Sequence, residues 1–166
     1  MTCSAVHLRS SSDSFNRPAD TNDYADNDLV ANSTTAGQVT PLEFSVTPGN
    51  GRGFEIIGAT LQKSGAGVTG ATFELYLFAQ EPTTAVGDNA AFTPASFTTS
   101  GFIGVVAFPA MTAFSDDARA VKYSESLPVY LSADSTIYGL LVTAAAYTDE
   151  ASEETFTATI IYKQYE

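Results

Sequence analysis

The sequence predicts an all-β protein: an antiparallel β-sandwich, jelly-roll-like, with an extended N-terminal arm. Three observations carry this. Short apolar runs rich in β-branched and aromatic residues recur along the chain, each bounded by Gly, Pro, Asn or Asp. No window holds an amphipathic helical stripe, and Arg119–Tyr123 is too short for a stable helix. Strands without helical crossovers pair antiparallel, and the long connections at 81–101 and 109–119 favour a Greek-key or jelly-roll route over a meander. The length of 166 residues suits one core. A chain of this size buries roughly 70% of its unfolded surface, so it needs neither a disulfide nor a metal to stand.

Residues 1–27 are polar and rich in Ser and Asp, with Val6, Leu8, Phe15 and Tyr24 as the sizeable apolar groups. This is the arm. It reads either as a partly disordered terminus or as a segment that orders on a neighbouring subunit through those side chains. The sandwich domain is 28–166. In Pro41–Val46, Leu42, Phe44 and Val46 alternate with polar partners, the period of a half-buried strand. Pro48-Gly49-Asn50-Gly51 turns the chain into a strand over Gly53–Gln62, and Ser64–Gly67 turns it again. Ala71–Gln80 is the strongest strand: Phe73, Leu75 and Leu77 share one face, Tyr76 and Phe78 the other. Apolar side chains on both faces mark a central strand covered on both sides, or one with a face against another subunit. The loop 81–101, with Phe92 and Phe97, is long enough to suggest a functional role. Further strands are expected over Phe102–Phe108, Ala120–Tyr123, Pro128–Leu131, Thr136–Thr143 and Thr155–Tyr165.

Charge narrows the partners. Seven basic residues stand against 19 acidic ones, a net charge of −12, and the basic ones are scattered. Nucleic acid and anionic membrane are both disfavoured by such a field, and solubility is favoured. No run reaches the length of a membrane span, and Met1–Ser10 lacks the apolar core of a secretory signal. These features predict a protein made in a cytoplasm.

No residue pattern calls for catalysis, and no cofactor or metal is expected. The sole histidine, His7, and the sole cysteine, Cys3, sit in the arm, where nothing holds a base beside a nucleophile. Asp20, Asp23, Asp26 and Asp28 fail the EF-hand test, because Ala25 and Ala31 occupy the Gly and Glu positions. They read as turn-capping side chains, and Asp116, Asp117 and the 149–154 run read as solvated turns. Glu43, Glu55 and Glu74 lie on strands, and spacing alone does not bring any two across a cleft.

Arg17-Pro18-Ala19-Asp20-Thr21, Tyr24 and Asp28 to Ser33, followed by Val39 and Pro41–Phe44, resemble the N-terminal signature of a family of tailed-phage capsid decoration (cement) proteins, usually encoded beside the major capsid protein. Ile57–Gly65, Ala71–Phe78, Ile137–Leu141 and Glu154–Thr157 are similar to that family's later segments, in the same order, so the resemblance runs from about Arg17 to Ile161. The chain departs from the motif at Asp23 and Asp26 and by its extension before Arg17. The resemblance implies a jelly-roll-like structural protein on the outer surface of a virion head, partnered by the major capsid protein and by copies of itself, with a trimer favoured. Phe15, Arg17, Tyr24, Phe92 and Phe97 are then the candidate capsid or subunit contacts. The alternative is a carbohydrate- or receptor-binding β module, such as a head-fibre domain, using Tyr76, Tyr130 and Tyr138.

Overall fold

A computed structural model of the chain describes residues 6–46, 53–93, 95, 101–123, 126–127, 136–149 and 151–165. Among them are ten strands and no α-helix: β1 (Val6–Asn16), β2 (Leu29–Val30), β3 (Leu42–Ser45), β4 (Phe54–Ser64), β5 (Phe73–Phe78), β6 (Phe102–Ala107), β7 (Thr112–Phe114), β8 (Asp117–Tyr123), β9 (Thr136–Thr143) and β10 (Thr155–Tyr165). One sheet runs β1-β10-β4-β8-β7 and the other β2-β9-β5-β6, with β3 also paired to β9. All these pairings are antiparallel.

β2 and β3 flank β9 as one interrupted strand, pairing with its C-terminal and N-terminal halves respectively, while residues 31–41 loop out between them. Counting them as one, and setting the short β7 aside, the sheets hold four strands each. In chain order these run first-eighth-third-sixth and second-seventh-fourth-fifth. Two interlocked Greek keys with that order form a jelly roll.

Strand alternation builds the core. β10 turns Phe156, Ala158, Ile160 and Tyr162 inward, and β4 contributes Phe54, Ile56, Ala59 and Leu61, with a bulge shifting the register between the two. The second sheet answers with Phe73, Leu75 and Leu77 from β5 and Ile137 and Leu141 from β9. Burying each such Phe, Leu or Ile side chain stabilises the fold by about 1.5–3 kcal/mol. β5 lies between β9 and β6 and is covered on both faces by this chain alone.

Two features differ from the sequence reading. The segment 1–27, expected as an arm outside the sandwich, contributes β1, which pairs with β10 from Val6 to Asn16. Its strand period was hidden because four core-side positions are polar: His7, Arg9, Ser11 and Asp13. Two of them meet polar partners: Arg9 Nε donates to Gln164 at 2.6 Å, and the Glu43 amide donates to Asp13 at 2.7 Å. The connection 109–119 contains the β7–β8 hairpin, turned at Ser115 with φ 40°. The strand expected over Pro128–Leu131 lies outside the described residues.

Candidate interaction surface

The five side chains expected at a capsid contact lie in different surroundings. Phe15 is half-buried at the end of β1 and stacks on Phe156, ring centroids 5.8 Å apart. Arg17 and Tyr24 are each 2% exposed. Phe92 is buried against Tyr76, with centroids 5.1 Å apart. Phe97 lies outside the described residues, as does Cys3. His7 sits on β1 opposite Gln164.

Arg17 and Tyr24 belong to an enclosed polar cluster with Lys63, Asp88, Tyr147, Asp149 and Glu154. The Arg17 guanidinium donates to the Asp149 carboxylate and the Tyr24 hydroxyl, and reaches Asp20 at 3.2 Å. Its Cζ lies 4.6 Å from the Tyr24 ring centroid. Tyr24 in turn donates to Asp88 at 2.8 Å, and Asp88 also accepts the Ala31 amide at 2.7 Å. On the far side, Glu154 accepts from Lys63 Nζ at 2.7 Å and from the Tyr147 hydroxyl. Backbone bonds stitch the two halves together: Tyr24 and Tyr147 exchange both amide bonds at 2.9 and 3.1 Å, and the Arg17 amide donates to the Glu154 carbonyl at 3.0 Å.

Burial sets the electrostatics here. It pushes the Asp88 and Glu154 carboxyls above the ordinary carboxylate range, although donors from Ala31, Tyr24 and Lys63 pull the other way. Burial likewise raises the Tyr24 and Tyr147 hydroxyls, helped by Asp88 and Glu154 respectively, so both stay protonated. For Arg17, burial opposes the charge, but Tyr24 and Asp149 outweigh it and its pKa is raised. The arrangement ties down the two crossovers that leave β1 and enter β10. None of its seven residues lines either of the grooves described below, so it meets no ligand there.

Sequence reasoning missed this cluster, taking 149–154 for a solvated turn. Asp149 and Glu154 are buried because Arg17 and Lys63 meet them from distant parts of the chain. One signal was legible: Ala59, Leu61 and Lys63 share the inward period of β4. Asp20 and Asp28 do cap turns, accepting the Asn22 amide at 3.2 Å and the Ala25 amide at 2.7 Å.

The two sheets differ on their outer faces. On the second sheet, Leu29, Tyr76, Phe78, Tyr138, Leu140 and Val142 are roofed by loops that bring in Ala31, Val39, Val86 and Phe92, a second small core. The two loops touch closely at Gly87, where a Cβ would lie 2.2 Å from the Thr34 carbonyl oxygen. Tyr76 and Tyr138 are thus part of that small core, and Tyr130 lies outside the described residues. On the first sheet the described residues leave the outer face open. Its rows run Ser10-Ile161-Gly58-Tyr123, Ser12-Thr159-Thr60-Val121 and Ser14-Thr157-Gln62-Arg119-Thr112. Leu8 and Tyr123 are 68% and 65% exposed, and Phe114 and Val121 also face solvent. Glu55 lies on this face, while Glu43 and Glu74 lie on the outer side of the second sheet, so the sandwich separates Glu55 from the other two.

Two grooves open on the surface. One, of about 500 Å³, runs along the β7–β8 end of the open face past Gln62, Phe114, Asp117 and Arg119. The other, of about 440 Å³, lies between the end of β1 and the 32–42 loop, with Phe15, Asn16, Asn32 and Thr40 on its walls.

No protein-family model matches the chain, and no curated protein matches it in sequence. Among solved structures it is similar to the BFDV capsid protein in a decamer, at 12% identity and a TM-score of 0.38, with 98% of this chain and 100% of that chain covered. The 60-mer form of the same capsid protein gives 10% identity and a TM-score of 0.39, covering 100% and 96%. The cyanophage Pam1 capsid asymmetric unit gives 15% identity and a TM-score of 0.35, covering 97% and 86%. The assignment of the fold rests on the strand order, not on these similarities.

Proposed function

We propose that this chain is a structural virion protein: a decoration or cement protein that binds the outer surface of a phage capsid and stabilises the shell. One observation carries the reading. The clustered charges and tyrosines are enclosed where they hold crossovers together, while the described residues leave a whole sheet face and an edge strand open, the layout of a rigid binding scaffold. The sequence resemblance from Arg17 to Ile161 narrows the partner to the major capsid protein. The net charge of −12 favours the outside of a head, away from packaged DNA.

In this proposal the contact candidates divide by role. Phe15, on the wall of the β1 groove, and Phe97, in the 81–101 loop, touch the shell or a neighbouring copy. Arg17, Tyr24 and Phe92 act from inside, holding the 17–28 crossover and the 81–93 loop in the shape that docks. The segment 1–27 serves as the arm through its exposed edge strand. Copies associate into a closed rotational assembly, a trimer matching the local three-fold points of a shell. A ligand that binds only the assembled lattice adds its binding free energy to that state, and many copies multiply the effect.

Mixing purified protein with empty shells tests this. Stoichiometric surface binding and a raised shell melting temperature are expected; shells that bind no protein at micromolar concentration overturn it. A sugar-binding role has one feature in its favour, the open groove with Phe114 beside Gln62, Asp117 and Arg119. A positive glycan array lost in Phe114→Ala would select that reading instead.

A further inference from the structure

In a chain of net charge −12, two copies repel one another over most of their surfaces. The open face of the first sheet is an exception. Its strands present Glu55 and Asp117 against Lys163 and Arg119, so the formal charges of the strands cancel, with Asp116 at the rim in the β7–β8 turn. Asp117 and Arg119 are already paired at 2.8 Å, and Ser126 donates to Glu55 at 2.7 Å. Between these two ends lie only uncharged groups: Ser10, Ser12, Ser14, Thr60, Thr157 and Thr159, with Val121, Tyr123 and Ile161 beside them.

Gly58 sits between Ile161 and Tyr123, where a Cβ would lie 2.5 Å from the Lys122 carbonyl oxygen, so glycine lets the β8 backbone come close to β4 beside the exposed Tyr123 ring. Such depletion of charge at the centre, with an aromatic group present, is the composition of an interface core. Its size also suits association. β10 and β4 are 11 residues long, and five strands at about 4.8 Å spacing and about 3.3 Å rise cover roughly 600–800 Å². That approaches the about 800 Å² per partner of a stable complex.

We propose that the outer face of the β1-β10-β4-β8-β7 sheet is the surface on which a second copy of this chain docks. Contact through a face whose strands carry no net charge avoids most of the repulsion that the acidic remainder of each copy imposes. The inference deepens the self-association within the proposed function, and it needs no shell to be tested.

Sedimentation of the intact chain over a range of concentrations, at low and high salt, is the experiment. We expect a concentration-dependent oligomer that tightens as salt screens the residual repulsion. Val121→Glu and, with opposite sign, Thr157→Lys place a charge at the centre of the face, and each should weaken association by about tenfold or more. Val68→Glu, exposed but away from this sheet, should leave it unchanged. A chain that stays monomeric throughout, or an oligomer indifferent to both face variants, overturns the proposal. A monomer whose face is protected from hydrogen exchange only on shells also overturns it, assigning the face to the shell subunit and leaving decoration standing. An oligomer broken by the face variants, in a protein that binds no shell, upholds this inference and overturns decoration.

Discussion

The two outer faces of this sandwich solve the same problem differently. The second sheet turns Phe78, Leu140 and Val142 outward, and the chain covers them with two of its own loops. The first sheet turns mostly Thr, Ser and charge-balanced pairs outward and leaves them open. The difference is tied to the polar cluster, because Asp88 in the covering loop accepts from Tyr24 and from the Ala31 amide. The roof is therefore bolted to the interior, and the open face is not. Stability should reside in the covered side and recognition in the open one.

Breaking the bolt should have the largest effect. Arg17→Ala leaves Asp149 buried without its cationic partner and frees Tyr24, which should cost about 3–5 kcal/mol, the penalty for removing one member of a buried ion pair. Urea unfolding measures the loss, and hydrogen exchange should rise in 28–31 and 84–92 before the rest. Uniform exchange across both sheets would separate the roof from the cluster.

The comparison sharpens when one aromatic is removed from each side. Phe92→Ala, under the roof, should destabilise by about 3 kcal/mol. Tyr123→Ala, on the open face, should stay within about 0.5 kcal/mol in urea and instead weaken self-association. Equal losses from the two would mean that the open face carries stability after all.

The smallest effect concerns pH. Asp88 and Glu154 hold their protons more tightly folded than unfolded, because both carboxyls are buried. Between the ordinary carboxylate pKa and the raised folded one, the native state therefore binds more protons. The stability they contribute is fully present below that window and is lost as pH rises through it. Melting temperatures measured across the acid range should show this decline, and Asp88→Asn should flatten it. A wild-type and variant pair whose difference is constant with pH would assign Asp88 an ordinary pKa.

Alternation and turn residues in the sequence determined most of the strands, since Phe73–Phe78, Thr136–Thr143 and Thr155–Tyr165 announce themselves by apolar period and flanking breakers. They also marked β5 as a strand either covered on both sides or set with one face against another subunit, because Tyr76 and Phe78 oppose Phe73 and Leu75, and the tertiary structure decided for the first. β1 was not legible, because strand period shows through hydrophobicity and its core-side positions are mostly polar. Only the tertiary structure decided that Lys63 and Arg17 meet carboxylates more than 90 residues away, and which outer face the loops would roof. Those outcomes depend on how two sheets are threaded, and pairing between distant segments leaves no trace in local spacing.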